Sequence, residues 1–179
     1  MKSIDVLVLH RIKGIGNKKQ LALVKCYKDK RLNSLEELLE FALNQTATLK
    51  KAVELLKEFF ANNLYLPTKE ECENDLEKWR SADITVVAFG SGDYPVQLES
   101  LDDPPALLFC KGNLNLLSSP KSVTVVGTRE NTKLGEKIAC KTVEHFSHAD
   151  FCIVSGLALG IDTIAHRAAL ESGGTTIAV

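Results

Sequence analysis

No stretch of this 179-residue chain approaches eighteen uninterrupted apolar residues, so a membrane-spanning helix is excluded. The opening MKSIDVLVLHRIKG has too short an apolar run, and no small-residue cleavage site, for a secretory signal. Five cysteines, Cys26, Cys72, Cys110, Cys140 and Cys152, are scattered without metal-ligand spacing. An odd, unpatterned set suits reduced thiols in a cytoplasm, and Cys110 and Cys152 lie in apolar runs as small core residues. Neither GxGxxG nor a Walker GxxxxGK(S/T) is present, so neither NAD nor ATP is positively indicated. Paired carboxylates, GxSxG and a His/Cys ligand cluster are also missing, which removes the usual signs of covalent or metal catalysis. No cofactor and no metal is expected. Fixed-period repeats and low-complexity tracts are absent too.

What is present begins with charge. A net charge of −1 hides an asymmetry. Residues 1–62 carry 12 Lys and Arg against 7 Asp and Glu, a net +5, and residues 63–179 carry 10 against 16, a net −6. A basic module is joined to an acidic one. Any nucleic-acid contact in the acidic part must therefore come from focused local groups rather than from the overall field.

The first sixty residues read as short helices. Leu7, Leu9, Ile12 and Ile15 begin an apolar pattern, Gly14-Ile15-Gly16 interrupts it, and Leu21, Leu23 and Val24 resume it. Ser34 with Glu37 reads as a capping box opening the helix LEELLEFALN. Another amphipathic helix runs through LKKAVELLKEFF. Residues 61–68 read as a linker, with Pro67 stopping helix continuation and Thr68 capping KEECENDLEKWRSA.

Beyond residue 82 the pattern changes. ITVVAF (84–89) and ALLFCKGN (106–113) read as strands, and from SVTVV (122–126) strands alternate with helices at 133–146 and 161–173. On the first of these helices Ile138, Ala139, Thr142, Val143 and Phe146 are expected to share one face. The alternation predicts a parallel sheet with right-handed crossovers, and uninterrupted apolar strands predict cover on both faces. The chain stops on the strand TTIAV (175–179), so a piece of a longer protein is expected. The expected fold class is α/β: a Rossmann-like parallel sheet, truncated at the C-terminus. A small all-helical module, SAM-like or helix-hairpin-helix-like, precedes it. The expected domains are residues 1–62 (helical module), 63–81 (linker and connecting helix) and 82–179 (Rossmann-like, DNA-binding).

Three segments could do chemistry. In VVGTREN (125–131) a strand is followed at once by Gly127, Thr128 and Arg129, at the sheet edge where open α/β folds bind ligands. The glycine admits a ligand, the threonine offers a hydroxyl, and the guanidinium is a planar fork matched to phosphate. The same segment also reads as a tight turn with a solvated arginine. In VSGLALGID (154–162), Ser155 and Gly156 close a strand and Gly160 permits a tight turn. The amides there and the helix dipole suit an anion. Asp162 would repel one and reads instead as a cap or a loop-orienting residue. The third segment, residues 9–24, is a helix, Gly14-Ile15-Gly16, then a helix, as in a helix-hairpin-helix. Lys13, Lys18 and Lys19 could hold DNA phosphates, or simply form a solvated basic face. His166 reads as a packed histidine, and His145 and His148 as helix-end cations.

Together these segments resemble a known family. Tyr94-Pro95, PPALLFCKGN (104–113), VTVVGTR (123–129) and SGLALGIDTIAHRAAL (155–170) before TTIAV resemble the DNA-processing protein family DprA, also called Smf. The resemblance is dense over residues 82–179 and looser before them. It implies non-enzymatic bacterial proteins that bind incoming single-stranded DNA in natural transformation, protect it and load RecA recombinase. It further implies a cytoplasmic homodimer when full length, with single-strand-binding protein as an additional candidate partner. Carried over, Gly127, Thr128, Arg129, Ser155 and Gly156 become phosphate-contact candidates, and Leu157, Gly160 and Lys133 complete the set. The family commonly has serine where Thr128 stands, which keeps the hydroxyl. It commonly has Arg or Lys where Leu159 stands, so one cation is missing or its contact shifts to Lys133 or Lys137. The competing reading is a nucleotide-binding, Rossmann-like hydrolase of the lysine-decarboxylase-like type. That reading requires an Arg/Glu pair after the glycine loop, and none is evident after Gly156.

Overall fold

The computed structural model describes residues 2–41 and 47–179, with the side chains of residues 40 and 41 left aside. The chain divides into two compact units, Met1–Gly112 and Asn113–Val179. The last residues of the expected helix LEELLEFALN, from position 42, lie outside the described residues.

The first unit holds helices α1 (Ser3–Arg11), α2 (Asn17–Asp29), α3 (Leu35–Phe41), α4 (Ala47–Ala61) and α5 (Tyr65–Ser81). Strand β1 (Ile84–Ala88), the single turn α6 (Val96–Glu99) and strand β2 (Leu107–Lys111) complete it. Its core is aliphatic: Leu7, Leu9, Leu23, Leu35, Leu38 and Leu56 are fully buried. One polar side chain joins them. Gln20 is buried, its amide donating to the Val6 carbonyl at 2.7 Å while its oxygen faces His10 Nδ1 at 3.3 Å, so the buried amide is satisfied. At α3, Ser34 Oγ accepts the Glu37 N–H at 3.2 Å. The Glu37 carboxylate takes the Asn33 N–H instead of completing the box on Ser34.

The expected linker is shorter than residues 61–68. Helix α5 starts at Tyr65, and the Thr68 N–H donates to Leu64 O within its first turn. Pro67 is tolerated there because first-turn N–H groups have no helical partner to lose. Arg11 Nη2 meets Asp75 Oδ2 at 2.6 Å, tying α5 to α1. Strands β1 and β2, read in sequence as leading into the parallel sheet, pair with each other antiparallel, Ile84 opposite Lys111 and Ala88 opposite Leu107.

The second unit opens with a 3-10 turn, Leu114–Ser118, and continues β3 (Ser122–Thr124), α7 (Lys133–His148), β4 (Cys152–Ser155), α8 (Ile161–Glu171) and β5 (Thr176–Ala178). The strands are parallel in the order β3-β4-β5, with Val123 opposite Ile153 and Ile153 opposite Thr176. Two right-handed crossovers stepping the same way put both helices on one face. Val143 of α7 and Ala165, Ala168 and Ala169 of α8 accordingly meet Ile153 there, backed by Val123, Val125, Cys140 and Phe146. The expectation of helical cover on both faces is not met within this unit. The buried side of α7 is Ala139, Val143 and Ser147, whereas Ile138 and Thr142 are exposed.

Candidate nucleic-acid interface

Parallel strands deliver their following loops to one edge, so the loops after β3 and β4 lie side by side. The sequence fixes their close approach through small residues. Val125 N–H extends the ladder to Val154 O at 2.9 Å, and Ser155 Oγ donates to Val125 O at 2.7 Å, joining the two strand ends. Ile161 N–H donates to Thr128 O at 3.1 Å, so the start of α8 grips the first loop. Gly160 is both the residue before α8 and a left-handed position, with φ 84°. A side chain there would overlap the Thr128 carbonyl and the Arg129 backbone. Gly127 is equally confined, since a Cβ on it would meet Ile161 at 2.7 Å.

Asp162 holds the arrangement together. Its buried carboxylate accepts the Gly127 N–H on Oδ1 at 3.2 Å and the Gly156 N–H on Oδ2 at 3.1 Å. One side chain thereby bridges loops whose anchor residues are 29 positions apart (127 and 156). The sequence marks Asp162 as a loop-orienting residue. Its second partner, 35 residues back, carries no local signal.

The candidate residues fall into two groups. Gly127, Gly156 and Ser155 have their N–H or hydroxyl groups engaged inside the protein, so they shape the loops. Thr128, Arg129, Lys133, Leu157 and Leu159 face solvent. Among the described residues, Arg129 and Lys133 have no carboxylate within salt-bridge distance, and the N–H groups of Leu157, Ala158, Leu159 and Gly160 have no protein acceptor. Thr128 Oγ1 accepts the Glu130 N–H at 3.2 Å and donates to the Glu130 carbonyl at 3.3 Å, which curls the loop around the exposed Arg129. Thr132 Oγ1 accepts the Gly135 N–H at 3.0 Å, capping α7 directly before Lys133. The edge can therefore offer two cations and a run of amides to a phosphate chain, whereas the Thr128 hydroxyl, expected from sequence as a donor, is spent on the Glu130 backbone. The apolar Leu157 and Leu159 stand beside them.

His166 is buried, and its Nδ1 faces Thr176 Oγ1 at 2.7 Å while that hydroxyl donates to Ile153 O, a packed role. At the far ends of α7 and α8 lies a cleft of about 400 Å³ bordered by Glu144, Glu171 and His148. Two carboxylates make it unsuitable for phosphate.

In the first unit, Gly14 takes a left-handed turn (φ 89°) and its carbonyl accepts Lys19 Nζ at 2.6 Å. Lys19 thus closes the hairpin, while Lys13 and Lys18 are exposed. Gly16 precedes α2 in extended conformation. The neighbouring Asn17 donates to Asp103 Oδ1 and Pro104 O and accepts the Ala106 N–H, bringing the 103–106 segment onto the start of α2. Tyr94 completes that strap through a 2.7 Å bond from its hydroxyl to Pro105 O. Burial pushes the Tyr94 phenol up to about 12. The Tyr-Pro and Pro-Pro signatures are thus structural in this unit.

The family model described as DNA recombination-mediator protein A matches residues 85–179. "DNA processing protein DprA" of Bacillus subtilis is 38% identical over 104 residues, covering 58% of this chain and 35% of that protein. The Streptococcus pneumoniae protein of the same name is 54% identical over 86 residues, 48% of this chain and 30% of that one. The X-ray structure of DNA processing protein A from Streptococcus pneumoniae aligns with all of this chain and 57% of its own length, with a TM-score of 0.67 and 29% identity. The matches to these two curated relatives span about a third of their length.

Proposed function

Because the chain belongs to the DNA recombination-mediator protein A family, we propose that it binds single-stranded DNA at the carboxyl edge of its parallel sheet. One observation carries this reading. Arg129 is an exposed guanidinium at that edge, without a carboxylate partner among the described residues, on a loop clamped by Asp162 and Ile161. Arg129 and Lys133 take backbone phosphates, the amides of residues 157–160 add neutral donors, and Thr128 shapes the loop that carries Arg129. Gly127, Ser155, Gly156 and Gly160 keep the loops close enough to act together. Leu157 and Leu159 supply apolar surface for the bases. Lys13 and Lys18 serve as auxiliary, sequence-independent phosphate contacts.

The wider role follows the family resemblance. The protein acts without catalysis in the cytoplasm, protects incoming single strands during natural transformation, and loads RecA onto them. It works as a homodimer when full length and meets single-strand-binding protein on the same DNA. Among the described residues no helix is long and apolar enough to cross a membrane.

The test is binding of oligo-dT by the full-length protein, wild type against Arg129→Ala. Affinity falls with salt, and the variant binds about tenfold more weakly with a salt slope smaller by about one. Binding indifferent to both salt and Arg129 overturns the assignment. Release of free base from nucleoside monophosphates would favour the hydrolase reading instead.

A further inference from the structure

By the starts of α1, α3 and α5 the first unit holds a cleft of about 500 Å³ that the proposed single-strand site does not use. Tyr27 of α2 and Tyr65 of α5 line it. Only 6% of Tyr27 is exposed, and neither phenol has a hydrogen-bond partner among the described residues. The Tyr27 hydroxyl is not sealed in by protein, so it opens into the cleft. A phenol buried to this degree normally has a partner. The Tyr65 ring is held by stacking on Phe60, their centroids 4.7 Å apart.

Carboxylates outnumber cations around these phenols. Asp5 and Glu73 line the cleft, and Glu36 and Glu37 follow its lining residues Ser34 and Leu35 on α3. Asp5 accepts the Lys2 N–H at 3.1 Å and Glu37 the Asn33 N–H at 2.9 Å, neutral donors that leave both charges in place. Glu73 is exposed and has no ion pair among the described residues. The opposing cations are Lys2, which is exposed, and Lys69, whose Nζ lies 5.9 Å from the Tyr65 ring centre. Burial pushes both phenols up, and the charged groups that add to it are carboxylates: Asp5 and Glu37 at Tyr27, and Glu36, Asp5 and Glu73 at Tyr65. The phenol oxygens therefore sit in a negative field despite the two lysines.

The geometry points to a receptor site for one organic cation, the guanidinium or ammonium head of an Arg or Lys side chain on a partner protein. Such a head donates to the phenol oxygens and to Glu73 and lies close to aromatic rings. Its aliphatic stem is matched by Ile4 and Leu32, half-buried in the same lining. A free polyamine would bring a second charge onto that apolar part. The site is independent of the single-strand reading.

The experiment follows the aromatic NMR signals of Tyr27 and Tyr65 in the 179-residue chain. The probes are N-acetyl-arginine N-methylamide, its lysine, leucine and glutamate counterparts, and spermidine. Capped arginine or lysine shifts both tyrosines saturably, about tenfold more tightly than capped leucine or glutamate, and binding weakens severalfold in high salt. Tyr27→Phe removes only a hydroxyl without a protein partner, so the melting temperature holds while affinity falls about fivefold. Glu73→Gln weakens binding about threefold, and Lys69→Gln, which removes a repelling charge, strengthens it by about as much. No saturable shift with either basic probe, an equal response to capped glutamate, or binding indifferent to both Tyr27→Phe and Glu73→Gln overturns the inference. Tighter binding of spermidine than of either capped residue also overturns it, in favour of a free polyamine. Arg129→Ala leaves these titrations unchanged, so failure here is distinct from failure of the single-strand site.

Discussion

Gly160 lies against the backbone of Thr128 so closely that a methyl group on it would overlap the Thr128 carbonyl oxygen. This contact brings the loop before α8 onto the loop after β3, and it depends on a residue without a side chain at φ 84°. Gly160→Ala combines left-handed strain with a collision against backbone, which cannot rotate away. Stability should fall by about 2–4 kcal/mol, with loss of oligo-dT binding. Denaturant unfolding of wild type and variant measures the first, and fluorescence anisotropy the second.

Leu159 is 75% exposed, so a longer polar side chain there disturbs no packing. Leu159→Lys adds a cation to the proposed phosphate-binding edge. Single-strand affinity should rise severalfold, and the salt slope should steepen by about one. A titration at two or more salt concentrations reads both changes, and stability should stay within about 0.5 kcal/mol of wild type.

Asn17 makes three hydrogen bonds to the 103–106 segment. Asn17→Ala leaves the part-buried Pro104 carbonyl and Ala106 N–H without these partners. The expected loss is about 2–3 kcal/mol. Amide exchange at Ala106 should accelerate well before the parallel sheet loosens.

The Tyr94 phenol donates to Pro105 O and is held neutral by burial, with its pKa raised from 10 to about 12. The folded protein thus favours the protonated phenol. That contribution is complete below pH 10 and is lost as the pH climbs from 10 through 12. Tyr94→Phe should cost about 1 kcal/mol at pH 8. Urea unfolding at pH 8, 10 and 11.5 should show the wild type losing its advantage over the variant across the alkaline range.

Much of the second unit could be read from the chain. Apolar runs of strand length at 122–126 and 151–155, each ending in glycine and followed by a 3.6-residue pattern, leave little besides a parallel sheet. Other features depend on tertiary facts. An apolar run does not carry strand direction, so the antiparallel pairing of β1 with β2 had no local mark. Pro67 signals a break only for a helix interior, whereas in the first turn of α5 a proline costs little. Period alone puts Ile138 on the apolar face of α7, yet it is exposed. At the candidate site, glycines and the arginine were visible in sequence. That the Gly127 and Gly156 amides are spent on Asp162 was not, since only folding brings position 162 against position 127.

The double grip of Asp162 also has a kinetic meaning. Two loops held by one carboxylate cannot open independently, so the edge is shaped before any strand arrives. Little conformational entropy is then lost on docking. Capture should be a single fast step whose rate follows charge and ionic strength, with no slower phase of loop closure behind it.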